Sequence, residues 1–198
     1  MSRFADRLAK RLNGLVLITP ELVSQLEAHH GLLKKWNAKI NLTSIEDLDE
    51  AVDRHYAEPL FLGSLLKLPS GSTVVDIGSG AGFPGTPIAA FRPDWHVTMV
   101  ESHARKAVFI KEATRSMPNV TVRTRRIEDV QEEFSCAVMR AVNWHDLVTI
   151  LPKLAPKLGF LVAAHDFGRL QSDLPAYTWQ ASAVPWDPTR VVASGELA

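Results

Sequence analysis

A chain of 198 residues, 46% of them hydrophobic and 22% charged, is long enough to bury one sizeable core and has the texture of an ordinary globular protein, which excludes collagen-like, coiled-coil and disordered classes. Its 22 lysines and arginines equal its 22 aspartates and glutamates, so no overall positive field draws in a polyanion, and any nucleic-acid contact has to come from local patches. The single cysteine, Cys136 within the apolar "FSCAVM", excludes an internal disulfide framework and reads as a buried, inert thiol. With no apolar run of about 18 residues and no signal-peptide pattern at the amino terminus, the expectation is a cytoplasmic protein without a membrane span.

Up to residue 69 the chain reads as a helical extension, beginning with Arg3, Arg7, Lys10 and Arg11 at helix-compatible spacing. Thr19-Pro20 is a helix start signal, a threonine cap followed by proline at the first helical position. Leu22, Leu26, Leu33, Trp36 and Ile40 then predict an amphipathic helix ending near Asn41. A second helical pattern, "DLDEAVDRHYAEPLFLGSLL" at 47–66, opens with acidic residues that suit the positive end of the helix dipole, and Pro59 is expected to kink or interrupt it. Pro69 to Ser72 reads as a connector.

From residue 70 to 198 the texture changes to short β-rich runs alternating with helical stretches. "TVVDIG" precedes a helix near "PIAAF"; "HVTMVE" precedes "ARKAVFIKEATRSM"; "NVTVRT" follows; "CAVMRA" precedes "WHDLVTILPKL"; and "GFLVAA" comes next. Such alternation predicts an α/β fold with a mostly parallel sheet covered on both faces. "YTWQASAVPW" and "TRVVAS" read as two strands with no helix between them, hence an antiparallel hairpin on the sheet edge.

The stretch 74–87, "VVDIGSGAGFPGTP", sets Gly78, Gly80 and Gly82 directly after the first strand, where an open parallel sheet binds its ligands. Glycines at alternate positions give a turn without β-carbons, against which a nucleoside can lie; a tight strand-to-helix turn with no ligand is the plainer reading. A dinucleotide fingerprint would carry a small residue where bulky Phe83 stands. The pattern, led by Asp76, resembles instead the cofactor loop of Rossmann-like S-adenosylmethionine-dependent methyltransferases. Asp76 can meet the cationic methionine end of such a cofactor, directly or through water, or can merely close the turn on backbone amides. Glu101, at the end of the second strand and 21 residues after Gly80, stands where an acid takes ribose hydroxyls, the alternative being a solvated turn residue.

"DIGSGAGFPGTP" further resembles the corresponding stretch of the bacterial 16S ribosomal RNA guanine-N7 methyltransferases, the glucose-inhibited division protein B family. "KWNAKINLTS" at 35–44, the Arg54-His55 pair, "ESHARKAVFI", "RIED" and "VMRA" are similar to other segments of that family, so the likeness spans most of residues 30–142. It implies a class I methyltransferase sheet, an S-adenosyl-L-methionine cofactor, and cofactor contacts from Gly78, Phe83, Ile127, Glu128 and Arg140 alongside Asp76, Gly80, Gly82 and Glu101. Read as residues alone, Ile127-Glu128 is equally an ordinary turn and Arg140 an arginine paired to a carboxylate at the core edge. The chain departs from the family pattern at Glu58-Pro59, where Asp-Ser is usual, and at "AAHDF", 163–167, where Leu-Lys-Gly is common.

Guanine N7 carries an in-plane lone pair and no proton, so the implied reaction needs position and electrostatics rather than a general base, and no catalytic side chain is assigned. Candidate contacts to 16S RNA or the small ribosomal subunit are Lys34, Lys35 and Lys39, the Arg54-His55 pair, and the cluster Arg123, Arg125 and Arg126, with Arg3, Arg7, Lys10 and Arg11 as further candidates; each is otherwise part of a solvated face. No histidine, cysteine or carboxylate spacing suggests a metal, and a monomer is expected. The competing functions are a methyltransferase of a small molecule or protein and a non-catalytic binding module that keeps the loop.

Overall fold

The computed structural model describes residues 2–198. Seven strands form one sheet in the order β3-β2-β1-β4-β5-β7-β6. They are β1 (Thr73–Ile77), β2 (His96–Val100), β3 (Val120–Arg123), β4 (Cys136–Arg140), β5 (Lys157–Ala163), β6 (Tyr177–Val184) and β7 (Asp187–Leu197). The first five run parallel, with Val74 level with Val97 on one side and Cys136 on the other, and β7 pairs antiparallel with both β5 and β6. The edge hairpin is therefore present as expected. Strand order reverses between β1 and β4, which puts the ligand-binding end of the sheet at the carboxyl ends of these central strands.

Because side chains alternate along a strand, Val74 and Val75 enter two different cores, and both are fully buried. Helices α1 (Arg3–Leu12), α2 (Pro20–Asn37), α3 (Leu48–Ala51), α4 (Glu58–Leu65), α5 (Gly85–Phe91) and α6 (Ala104–Ala113) precede or follow the early strands. Leu8, Leu12, Leu26, Leu60, Phe109 and Ile110 from these helices share one core with Val74, Val97 and Val138. The opposite core joins Val75, Ile77, Ala137 and Phe160 to Leu151 and Leu154 of α7 (Leu151–Leu154) and Leu170 of α8 (Phe167–Asp173).

Three local expectations need correction or refinement. First, α2 begins as expected, with Thr19 Oγ1 accepting from the Leu22 amide at 3.2 Å, but ends at Asn37 rather than Asn41. There the Asn37 side chain turns the chain by accepting from the Leu42 and Thr43 amides and donating to the Thr43 carbonyl. Second, Pro59 interrupts the α-helical register without ending the helical run: a π-helical segment, Val52–Ala57, lies between α3 and α4. The Glu58 amide donates to the Asp53 carbonyl, five residues back, so the next bond in that register would run from residue 59 to the Arg54 carbonyl, and proline has no N–H to supply it. The freed carbonyl becomes a partner for the site described below. Third, the helix expected over 144–154 is a 3-10 turn at Trp144–Leu147 followed by the short α7, because Pro152 is tolerated only in a helix's first turn. Helix α8 is an element that the strand-and-helix alternation does not predict. Its signal is Leu170 and Leu174 four residues apart, both buried, beside an unfavourable Gly168.

Candidate functional site

Leaving β1, the chain enters a loop whose Gly78, Gly80 and Gly82 have φ of 68°, 57° and 83°. A β-carbon in this left-handed region costs roughly 1–2 kcal/mol. The three are not equivalent. A Cβ at Gly78 would stand 2.9 Å from the Val142 side chain and one at Gly82 2.5 Å from Thr86 Oγ1, whereas at Gly80 the only neighbour within 4 Å is the Gly78 carbonyl at 3.9 Å. Gly78 and Gly82 are thus required by the protein's own packing. Gly80 alone has room for a side chain, while Gly78 is exposed and lines the cleft described below.

Asp76 on β1 is fully buried, and burial pushes its carboxyl up to about 7 against the opposing pull of the Ser79 hydroxyl and the Gly85 amide. Its Oδ2 accepts from Gly85 N–H at 2.9 Å and so closes the loop onto the start of α5, while its Oδ1 is buried without any partner. The turn-closing role is real, and one oxygen is left over. Glu101 at the end of β2 ties two loops together, Oε2 accepting from Gly80 N–H at 2.8 Å and Oε1 from His103 N–H at 2.7 Å. A carboxylate offers about four lone-pair sites, so two stay free for hydroxyl donors.

Beside this loop a cleft of about 250 Å³ is lined by Ile77, Gly78, Ile127, Glu128 and Val142. Ile127–Asp129 forms a 3-10 turn after β3, with Ile127 buried and Glu128 exposed, so the cleft has an apolar wall with an acidic rim. Arg125 and Arg126 line the same cleft, which places two of the candidate RNA contacts at its mouth. Arg123 is ion-paired with Glu132 at 2.7 Å.

Arg140 ends β4 and is held from behind by the π-helical segment: its Nη1 donates to the Arg54 carbonyl at 2.7 Å and to His55 Nδ1 at 2.8 Å. Burial lowers Arg140 to about 10, which keeps it cationic at neutral pH. Because a guanidinium only donates, His55 Nδ1 must accept, and the proton sits on Nε2, which donates to Thr43 Oγ1 at 2.8 Å. The segment "KWNAKINLTS" therefore acts on the site through Asn37, Thr43, His55 and Arg140 in sequence. His55 is buried, with both nitrogens engaged, so its assignment as an RNA contact is corrected: it works from inside the protein. Phe83 is also buried and stacks on His55 with centroids 4.4 Å apart, so any part it has in cofactor binding falls to its main chain.

His29 belongs to the site without any sign of it in the sequence. It is fully enclosed between α2 and the loop, Nε2 donating to the Ala81 carbonyl at 3.1 Å and Nδ1 accepting from the Tyr56 hydroxyl at 2.9 Å. No local spacing signals this, because its partners lie 27 and 52 residues away. Lys34, Lys35 and Lys39 are exposed at the end of α2 and just beyond it. Arg3, Arg7 and Arg11, by contrast, are ion-paired with Asp49 and Asp53, with Arg3 still largely exposed. Among the described residues no group of three or more histidines, cysteines and carboxylates gathers as a metal site, and no helix is long and apolar enough to cross a membrane.

Comparison with known proteins bears on this geometry. Residues 22–165 match the family model GidB, rRNA small subunit methyltransferase G. A ribosomal RNA small subunit methyltransferase G of Nitrosomonas europaea is 43% identical over 119 residues, covering 58% of this chain and 53% of that protein. One from Bacteroides fragilis is 34% identical over 144 residues, covering 71% of this chain and 70% of that protein. The first relatives are matched over only 53–56% of their own length. Among solved structures, a SAM-dependent methyltransferase from Aquifex aeolicus superimposes with a TM-score of 0.61 at 14% identity, covering 75% of this chain and 93% of that one. A ribosomal protein L11 methylase from Lactobacillus delbrueckii gives 0.59 at 12% identity, covering 71% and 79%. At these identities the structural likeness speaks for the fold, that of the class I methyltransferases.

Proposed function

This chain belongs to the GidB family, rRNA small subunit methyltransferase G, and from that premise we propose that it transfers a methyl group from S-adenosyl-L-methionine to N7 of a guanine in 16S ribosomal RNA. The observation that carries the cofactor assignment is the left-handed glycine loop after β1, whose Gly78 lines the cleft and whose main chain at Gly80 is unobstructed. Glu101 would take the ribose hydroxyls on its two free lone-pair sites. Ile127 would pack on the adenine, with Glu128 at its polar edge, and the Gly78–Gly82 main chain with Asp76 would face the methionine end. The cofactor supplies an electrophilic methyl on a cationic sulfur. The protein's own work is to hold the guanine N7 lone pair in line with that methyl, a positioning effect that can be worth on the order of 7–11 kcal/mol. Nothing has to accept a proton, because guanine N7 reacts through a lone pair. Lys34, Lys35, Lys39, Arg125 and Arg126 would grip phosphates around the target. A ribosomal substrate would put the enzyme in the cytoplasm, and a single chain carries every group named, so it is read as acting as a monomer.

Two measurements test this reading. Gly80→Arg fills the one open position and is expected to weaken S-adenosylmethionine binding by at least about 100-fold in calorimetry while the thermal transition stays cooperative; wild-type affinity would remove the site. Labelled cofactor is then offered with undermethylated small subunits, naked 16S RNA, and a metabolite and protein extract. Label at guanine N7 of the RNA is expected, and label only in metabolites or proteins would replace the substrate with one of those. No binding of S-adenosylmethionine at all would leave a non-catalytic module.

A further inference from the structure

A second cleft, of about 190 Å³, opens at the carboxyl ends of β4 and β5. Val142 lines both this cleft and the one assigned to the cofactor, so a single side chain forms the partition. The chain reaches that partition through Ala141, whose φ of 55° is left-handed, the one such non-glycine among the described residues. Holding an alanine there costs roughly 1–2 kcal/mol, a strain that concentrates at functional corners. The walls of the second cleft are mainly apolar, with Trp144 among them, and its charged lining consists of Arg54, Arg140, Arg190 and a single carboxylate, Asp166. Glu58, fully buried behind Arg54 and Arg190, stands 3.3 Å from one guanidinium and 3.1 Å from the other. Both arginines are thereby fixed at the cleft.

We propose that this cleft receives the target guanine and that Asp166 determines specificity by accepting hydrogen bonds from guanine N1–H and the 2-amino group. The inference rests on the reaction proposed above and adds the part of the site that recognises the base. Guanine presents two donors on its Watson–Crick edge, matched by the two oxygens of a carboxylate, whereas adenine offers a lone pair at N1 that a carboxylate repels. N7 lies on the opposite side of the purine. With β5 farther than β4 from β1, a base gripped at Asp166 directs N7 across Val142 toward the cleft assigned to the cofactor. A donor placed on N7 would instead occupy the reacting lone pair. The apolar walls and Trp144 suit the faces of an extruded base.

The test uses small subunits reconstituted with 16S RNA carrying either guanosine or inosine at the methylated position, once wild-type enzyme has been used to map it. Inosine keeps N7, O6 and N1–H and lacks only the 2-amino group. Wild-type kcat/KM is expected to fall about tenfold on inosine. Asp166→Asn, which presents an amide N–H to one of the two donors, is expected to lose about tenfold or more on guanosine and to bring the inosine-to-guanosine ratio near one, with S-adenosylmethionine affinity within about twofold of wild type. Unchanged rate and preference in Asp166→Asn, or a wild type indifferent to inosine, overturns the assignment while leaving the N7 reaction standing. Absence of any N7 methylation by the wild-type enzyme overturns the reaction and this inference together.

Discussion

His29 and His55 show how tightly a neutral side chain can be bound into a protein's interior. Burial lowers His29 to about 4, and burial together with the Arg140 charge lowers His55 to about 2, against an ordinary value of 6.5. Each is thus a base that the unfolded chain protonates first, so its contribution to stability is complete above pH 6.5 and is lost as pH falls toward the folded value. Asp76 has the opposite sign: raised to about 7 by burial, it favours the folded state increasingly as pH drops from 7 toward 3.8. His29 and His55, with His30 also lowered by burial, outweigh the one aspartate and predict a net loss of about 1 kcal/mol or more between about pH 7 and pH 5. Urea unfolding at the two pH values measures it, and in His29→Phe, which removes one histidine share, the dependence over that window should flatten.

The π-helical segment joins several of these residues into one device. Its register, imposed where Pro59 has no N–H, frees the Arg54 carbonyl for Arg140, and the same segment places Arg54 and His55 toward the strands. Glu58 follows it directly and bonds to Arg190 on β7, which ties the edge hairpin to the helical layer. Glu58→Gln leaves two guanidiniums facing a neutral amide in a buried setting. The expected cost is about 3 kcal/mol or more of unfolding free energy, and the thermal midpoint should fall accordingly; a change within experimental error would show that solvent reaches the pair.

The helices before residue 70 share a core with the sheet: Leu8, Leu12, Leu26 and Leu60 lie in the same buried cluster as Val74, Val97 and Val138. A fragment of residues 70–198 would expose that whole face. It is expected to show no cooperative thermal transition and to bind hydrophobic dyes, whereas a sharp transition would establish the helical segment as an independent layer. The same helices bring His29 and His55 to the loop and β4, so their loss should also disorder the cofactor site.

Main-chain geometry that depends on neighbours in sequence is legible in the sequence alone. The alternation of apolar runs marks the parallel strands, the glycine spacing marks a loop of left-handed residues, and Asp76 and Glu101 are placed by their distance from it, because strand periodicity and φ preference act over a few residues. Which glycines the packing itself requires is not legible, since Val142 and Thr86 decide it. Nor are the partners of Arg140 and Glu58, which stand 85 and 132 residues away along the chain. Arg3, Arg7 and Arg11 of α1 look free in the sequence because nothing local reveals Asp49 and Asp53 beside them. Packing two helical layers onto a twisted sheet sets those long-range encounters, and with them whether a charge is spent on the protein itself or left for a ligand.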